Sequence, residues 1–276
     1  MQASEIRNLA EGLLEVALAA ARGLMAHFGT GMDVERKADH SPVTAADREA
    51  EAIILAGLAR LAPGVPIIAE EEVSAGRVPD IRGGFFLVDP LDGTNGFIKG
   101  RREFTINIGL IEAGRPVFGL LYAPALADFY VTLAADEAVN GHLEPEARVR
   151  SLAECALRPL RGRAPDPHAL VALTSQSHLN RATEGFLARY HVLERRALAS
   201  SLKFGLIAKG EADFYPRIGP TSEWDTAAGH AVLAAAGGTV TNINGAPLLY
   251  GNAGHGFQSP DFVAWGRRPL PRSREV

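Results

Sequence analysis

Apolar residues recur at helical spacing along the first stretch of the chain. Ile6, Leu9, Leu13, Val16, Ala20 and Leu24 share one face of residues 3–28, which predicts an amphipathic α-helix. A polar loop follows, "GTGMDVERKADHSPV" (29–43). Thr44 then stands as N-cap of a second helix that runs to about Leu61, where Pro63-Gly64 stops it. Beyond this point the pattern shortens. "VPIIA" is a short buried strand with Glu70-Glu71-Glu72 at its end, and "GFFLV" is another, ending at Asp89. "FTINIGLI" and "PVFGLLYAP" flank the turn signal "EAGRP", and "DFYVTLA" extends them into a meander.

Residues 134–167 break the pattern. They are rich in Arg, Glu, Ala and Pro with weak periodicity, and are expected to form an irregular crossover between two halves, 1–133 and 168–265. In the second half "ALVALTS" reads as a strand and "NRATEGFLARY" as a helix. "SSLKFGLIAKG" is a helix with Gly210 near its C-terminus. "ADFYPR" is strand-like, and "WDTAAGHAVLAAAGG" is a helix closed by Gly237-Gly238. The tail 266–276, "GRRPLPRSREV", is basic and expected to be flexible. The alternation predicts a layered α/β protein.

Composition narrows the function classes. A chain of 276 residues, 47% of them hydrophobic, can bury a sizeable core. A net charge of −4 gives no nucleic-acid footprint. The single cysteine, Cys155, excludes an internal disulfide framework and a cysteine metal cluster, and suits a reducing compartment. No apolar run reaches the roughly 18 residues that suggest a membrane span. Glu5, Glu11 and Glu15 interrupt the N-terminal segment, unlike a signal peptide. The expectation is a cytoplasmic protein, with at most weak membrane-surface association through the arginine tail.

The candidate chemistry is acidic. "LVDPLDGTNGF" (87–97) ends an apolar strand with Asp89 and Asp92, followed by Gly93-Thr94. Asp-Pro and Asp-Gly pairs are ordinary turn formers. Two carboxylates at a strand end are also hard oxygen ligands suited to Mg²⁺, and like charges this close repel without a cation between them. Free amides at the start of the next helical turn suit a phosphate. Two metals need more carboxylates. Glu70, Asp225 of "WDTAAG" and Asp47 of "SPVTAAD" are available. Each also has a plain reading, as a solvated acidic turn or a helix N-terminal acid.

"DPLDGT", the upstream glutamates and "WDTAAG" together resemble the inositol monophosphatase superfamily. The likeness runs from about Met1 to Tyr250, through "KADHSPVTAAD" (37–47), "EFTINIGLI" (103–111), "SSLKFGLIAKGEADFYPR" (200–217) and "GPTSEWDTAAGHAV" (219–232). Within it the chain is most similar to bacterial 3′(2′),5′-bisphosphate nucleotidases. The resemblance implies a layered αβαβα fold and a lithium-sensitive phosphatase that uses two or three Mg²⁺ ions. It implies Glu70, Asp89, the Leu91 carbonyl, Asp92 and Asp225 as ligands, with Asp47 holding a further metal through water. Glu70 and Thr94 would orient the attacking water, and the Gly93 and Thr94 amides would bind phosphate. His178, Ser200, Lys203, Arg217 and Asp225 would face the substrate.

The implied reaction removes the 3′-phosphate of 3′-phosphoadenosine 5′-phosphate. An inositol or other small-alcohol monophosphatase is the alternative. A non-catalytic binder of RNA polymerase or RNA is a third class, opposed by the intact acidic residues and the near-neutral charge. The partner expected is a small phosphate ester. Three departures bear on substrate choice. Asn95-Gly96 stand where the nucleotidases usually show Lys-Glu, their "SRSH" is "SQSH" here with Gln176 for arginine, and residues 134–165 lack a glycine-rich hairpin.

Overall fold

A computed structural model describes residues 1–31, 34–37 and 42–271. Part of the "KADHSPVTAAD" stretch (38–41) and the last residues of the basic tail (272–276) lie outside the described residues.

The first helix, α1 (Ala3–His27), follows the predicted face, with Ile6, Leu9, Leu13, Val16, Ala20 and Leu24 buried. Two short strands, β1 (Glu35–Arg36) and β2 (Pro42–Val43), pair antiparallel. Thr44 caps α2 (Ala45–Leu61) through a capping box with Asp47. The strand β3 (Ile67–Ala69) runs into the short helix α3 (Glu70–Ser74), so the three glutamates form a first helical turn. Then come β4 (Phe85–Asp92), the short helix α4 (Thr94–Ile98), β5 (Thr105–Glu112), β6 (Arg115–Ala123) and β7 (Asp128–Ala134).

The expected irregular crossover is not irregular throughout. It holds β8 (Glu137–His142) and β9 (Arg158–Pro159), which extend the same sheet. Val139 and Asn140 are buried there although the segment lacks a clean alternation. The resulting order is β3-β4-β5-β6-β7-β8-β9.

The second half forms β10 (Leu170–Ser175), α5 (Arg181–Leu187), β11 (Val192–Leu198), α6 (Leu202–Ala208), β12 (Phe214–Arg217), α7 (Ala227–Ala235), β13 (Thr239–Asn242) and β14 (Phe262–Trp265). Its sheet has the order β11-β10-β12-β14-β13. The tail expected to fray from Gly266 is docked at its start. The Gly266 amide donates to Asp213 O at 2.9 Å, Arg267 Nε donates to Gly162 O at 2.8 Å, and Leu270 packs against Trp265's cluster. No helix among the described residues is long and apolar enough to cross a membrane.

Side chains of β4 explain the layering. Phe86 and Val88 point into a core shared with α1 and α2, whereas Phe85 and Leu87 point into a core shared with α6 and α7. A strand covered on both faces reads as a continuous apolar run, as "GFFLV" does. The layers are therefore α1/α2, the seven-stranded sheet, α6/α7, the five-stranded sheet and α5. The middle helix α7 sits close on the larger sheet because Gly109 and Gly119 face each other in register beneath it. A Cβ on Gly119 would lie 2.1 Å from Ala228 O. That approach fixes the start of α7, where Asp225 resides.

Candidate active site

Asp89 and Asp92 are separated by a β-bulge. Asp89 pairs with Asn107 and Asp92 with Thr105, so Pro90 and Leu91 together face one residue. Proline lacks the N–H that a regular ladder position would use, which suits it to a bulge. The Leu91 amide donates to Asp89 Oδ1 at 2.9 Å, and the Leu91 side chain is buried in the core. Gly93 follows at φ +100°, and a Cβ there would meet Glu103 O at 3.3 Å. Its left-handed conformation starts α4 at Thr94, with the Gly96 and Phe97 amides donating back to Gly93 O. The first amides of a helix have no partner within it, which leaves those of Gly93 and Thr94 at the cavity wall.

The cavity encloses about 270 Å³ between the two halves. Glu70, Asp89, Leu91, Asp92, Gly93 and Thr94 line it from the first half. His178, Ser200, Lys203, Arg217 and Asp225 line it from the second. Of the residues singled out in the sequence, Asp47 alone is not on its wall. Asp47 is buried behind Thr94 with both oxygens engaged. Oδ2 accepts from Thr44 N at 2.8 Å and Thr44 Oγ1 at 2.6 Å, and Oδ1 lies 3.1 Å from Thr94 Oγ1. Asp47 therefore reaches the cavity through Thr94. Thr94 Oγ1 in turn donates to Asp47 Oδ1 or to Leu91 O at 3.0 Å.

The carboxylates are fixed by neutral donors. Asp92 Oδ2 accepts from Ser201 N at 2.6 Å and lies 2.5 Å from Ser201 Oγ. Asn107 Nδ2 donates to the same hydroxyl at 3.1 Å. Asp225 Oδ2 accepts from Thr221 Oγ1 at 2.8 Å and from Ser222 N at 3.0 Å. Burial pushes the Asp225 carboxyl up to about 7, and the charges of Asp92 and Glu70 add to the shift. Asp89 is raised well above the carboxylate range by burial, then by Glu70, Asp92 and Asp225. Glu70 is raised by burial, opposed by Lys37. Lys37 Nζ lies 2.5 Å from Glu70 and 2.6 Å from Glu71.

These acids repel one another electrostatically, and an oxygen-only donor set suits a hard dication. As placed, no three carboxylates among the described residues close around one point. The donor chemistry fits Mg²⁺, while a closed cage is not formed.

The second half also contributes two cations, Lys203 and Arg217. Lys203 is buried, with Nζ 4.9 Å from the Tyr215 ring centroid. It donates to the carbonyls of Leu198, at 3.3 Å, and Ser200. Burial lowers its pKa to about 8. Ser200 itself holds φ +54°, an uncommon left-handed conformation for a serine. That turn delivers Ser201 to Asp92. Arg217 is also buried, its Nη2 donating to Pro220 O, and its Nε has no partner among the described residues. His178 Nδ1 is 3.2 Å from Ser175 Oγ, and burial followed by Arg217 and Lys203 lowers its pKa. His230, which reads as a packing residue, is buried with Nδ1 3.0 Å from Tyr250 Oη.

Ser201, Asn107, Thr221 and Lys37 were not singled out by sequence. Ser201 and Thr221 do stand within "SSLKF" and "GPTSEWD", so proximity in sequence to Ser200 and Asp225 was the available signal. Asn107 has none, since only strand register brings it to Asp92.

The family model described as "Inositol monophosphatase family" matches residues 5–263. The 3′(2′),5′-bisphosphate nucleotidase CysQ of Shigella flexneri is 42% identical over 231 residues, 84% of this chain and 88% of that protein. CysQ of Haemophilus influenzae is 30% identical over 262 residues, 94% of this chain and 93% of that protein. Among solved structures, CysQ from Bacteroides thetaiotaomicron superposes with a TM-score of 0.75 at 33% identity, over 95% of this chain and 98% of that one. An inositol monophosphatase from Thermotoga maritima gives 0.72 at 25% identity, over 91% and 89%. With that profile match spanning both sheets and the acidic cavity between them, the chain belongs to the inositol monophosphatase family.

Proposed function

We propose that the chain is a Mg²⁺-dependent 3′(2′),5′-bisphosphate nucleotidase, which hydrolyses 3′-phosphoadenosine 5′-phosphate to AMP and phosphate. One observation carries the reading. A single cavity presents the carboxylates of Glu70, Asp89 and Asp92 at one wall and the buried cations Lys203 and Arg217 at another, with Arg217 Nε unpartnered among the described residues. A buried donor without a partner is costly, and a second phosphate on the substrate satisfies it. The relatives named as bisphosphate nucleotidases support the same substrate class.

Glu70, Asp89, the Leu91 carbonyl, Asp92 and Asp225 would hold the metal. Bound Mg²⁺ supplies Lewis-acid polarisation of the phosphoryl oxygens and acidifies the attacking water. The protein does the positioning. Asp47 accepts the Thr94 hydroxyl proton, which leaves a Thr94 lone pair to orient the water. Glu70, on the same wall, would be the carboxylate to receive a proton. The Gly93 and Thr94 amides bind the phosphate being cleaved, and Lys203 and Arg217 face the one retained. The partner is a small phosphate ester, and no nucleic-acid polymer is expected.

The test is phosphate release from 3′-phosphoadenosine 5′-phosphate, AMP and inositol 1-phosphate, with Mg²⁺ and with excess chelator. The expected result is a preference for the bisphosphate and no turnover in chelator. Asn95, Gly96 and Gln176 favour a second reading, an inositol or small-alcohol monophosphatase, which a preference for inositol 1-phosphate would establish instead.

A further inference from the structure

Arg101 lies in the loop between α4 and β5 and lines the cavity. Its Nη1 donates to Gln176 Oε1 at 2.7 Å, which joins the first half to the segment after β10. The Gln176 amide donates to Leu198 O at 3.0 Å. Lys203 Nζ donates to that same carbonyl at 3.3 Å. Residue 176 is thus tied to the acceptor that also holds Lys203, and Arg101 is delivered to this cationic end of the cavity. Arg101 is exposed, and among the described residues it makes no ion pair.

The departures from the nucleotidase pattern converge on this contact. At position 96 a Cβ would meet Arg101 Cβ at 3.7 Å and Cδ at 4.0 Å, so the arginine stem runs directly over Gly96. The Arg101 amide donates to Gly96 O at 2.9 Å, which closes the loop beneath it. A glutamate at 96 would bring a long acidic side chain to the arginine stem. An arginine at 176 would set one guanidinium against another, whereas glutamine offers a carbonyl acceptor. Gly96, Arg101 and Gln176 therefore form one compatible set.

We propose that Arg101, positioned by Gln176, is a specificity-determining residue that binds the substrate phosphate not being cleaved. Position 101 supplies a guanidinium to the lip of the cavity opposite the one that carries Gln176. Arginine suits the task because its planar fork pairs with two phosphate oxygens at once. The inference rests on the nucleotidase reading given above.

The experiment compares kcat/KM for 3′-phosphoadenosine 5′-phosphate with that for adenosine 3′-monophosphate, which has the scissile phosphate alone. Arg101→Ala should lower this ratio about tenfold to hundredfold, the scale of a charge-assisted hydrogen bond. Adding Gln176→Arg to Arg101→Ala should restore at least about tenfold of that loss by returning a guanidinium to the other lip. A ratio unchanged in Arg101→Ala, including equal losses on both substrates, overturns the assignment while leaving the nucleotidase reading intact. A ratio that stays low in the double variant overturns the exchange of positions. A wild type that prefers inositol 1-phosphate to the bisphosphate removes the nucleotidase reading, and the role of Arg101 with it.

Discussion

Asp47→Asn separates stability from catalysis. In the wild type Asp47 completes a capping box, with Oδ2 accepting from Thr44 N and Oγ1, while Oδ1 meets the Thr94 hydroxyl. Asparagine can keep its oxygen on Thr44, so the cap survives. Losing it would cost about 1 kcal/mol, or about 2–4 °C in a chain of this size. Burial is the main cause that raises the Asp47 pKa above its usual value. A carboxyl whose folded pKa is raised holds its proton more tightly in the folded state. Stability is therefore lost as pH rises from the usual aspartate range through the raised folded pKa. The neutral amide avoids this cost, and the expected melting temperature in chelator at pH 7 equals or exceeds that of the wild type.

Catalysis should move the other way. With the amide oxygen on Thr44, the NH₂ group must face Thr94 and donate to it. The Thr94 hydroxyl then turns its proton elsewhere and spends a lone pair on the amide. A hydrogen bond to a charged acceptor is worth about 1.5–3 kcal/mol, which at about 1.4 kcal/mol per decade is a tenfold to hundredfold fall in kcat. KM should change little, since the lost interaction acts in the transition state. Steady-state phosphate release at saturating Mg²⁺ measures both. An unchanged kcat refutes the argument. So does a loss that disappears on raising Mg²⁺, which would return Asp47 to the role of holding a metal through water.

Three further outcomes follow from other parts of the structure. His230 is buried and its pKa is lowered to about 3, first by burial and then by Arg115. The unfolded chain therefore protonates first, and stability falls as pH drops from about 6.5 toward 3. His230→Phe should flatten this acid limb in calorimetric scans, and an unaltered slope would contradict it. Gly119→Ala would place a Cβ 2.1 Å from Ala228 O. It should cost about 1–3 kcal/mol through overpacking and reduce turnover by shifting α7, so an unchanged melting temperature would refute the close-packing argument. Ser201→Ala removes the hydroxyl beside Asp92 and leaves Asn107 Nδ2 only its longer contact to Asp92 Oδ2, at 3.4 Å. The expected loss in kcat/KM is about tenfold or more, with weaker Mg²⁺ binding by calorimetry, and wild-type values for both would dismiss the contact as incidental.

Much of the first half was legible because its signals are local. The face of α1, the Thr44 cap and the apolar run of β4 depend on residues a few positions apart. Strands β8, β11, β13 and β14 were missed for a different reason. β11 is an edge strand whose Leu193 is 71% exposed beside Glu194 and Arg195, so it has no apolar run. In β8 the pairing with β7, rather than side-chain pattern, sets the strand. The site divides the same way. The acidic words announced themselves, but the Asp47–Thr94 contact spans helix α2 and the turn before α4. Thr94 could be paired with Asp47 only once the sheet had placed them together.

The manner in which the cavity holds its charges explains why opposite signs coexist there without cancelling. Asp89 is held by the Leu91 amide, Asp92 by Ser201, and Asp225 by Ser222 and Thr221. Lys203 is held by the carbonyls of Leu198 and Ser200, and Arg217 by that of Pro220. Neutral partners orient a charged group without neutralising it. Had Arg217 paired with Asp92 or Asp225, a buried ion pair would have formed and each ligand would have had to break it. Leaving acids and cations unpaired with one another keeps acids for a dication and cations for phosphate, at the cost of the raised carboxyl and lowered lysine pKa values. Lys37 on Glu70 is the exception, an ammonium among the acids. It sits on the one proposed metal-facing carboxylate that comes from α3 rather than from β4 or the α7 entry. The charge pattern thus suits a ligand that brings both signs at once, as a metal-bound bisphosphate does, with a second phosphate for the cations.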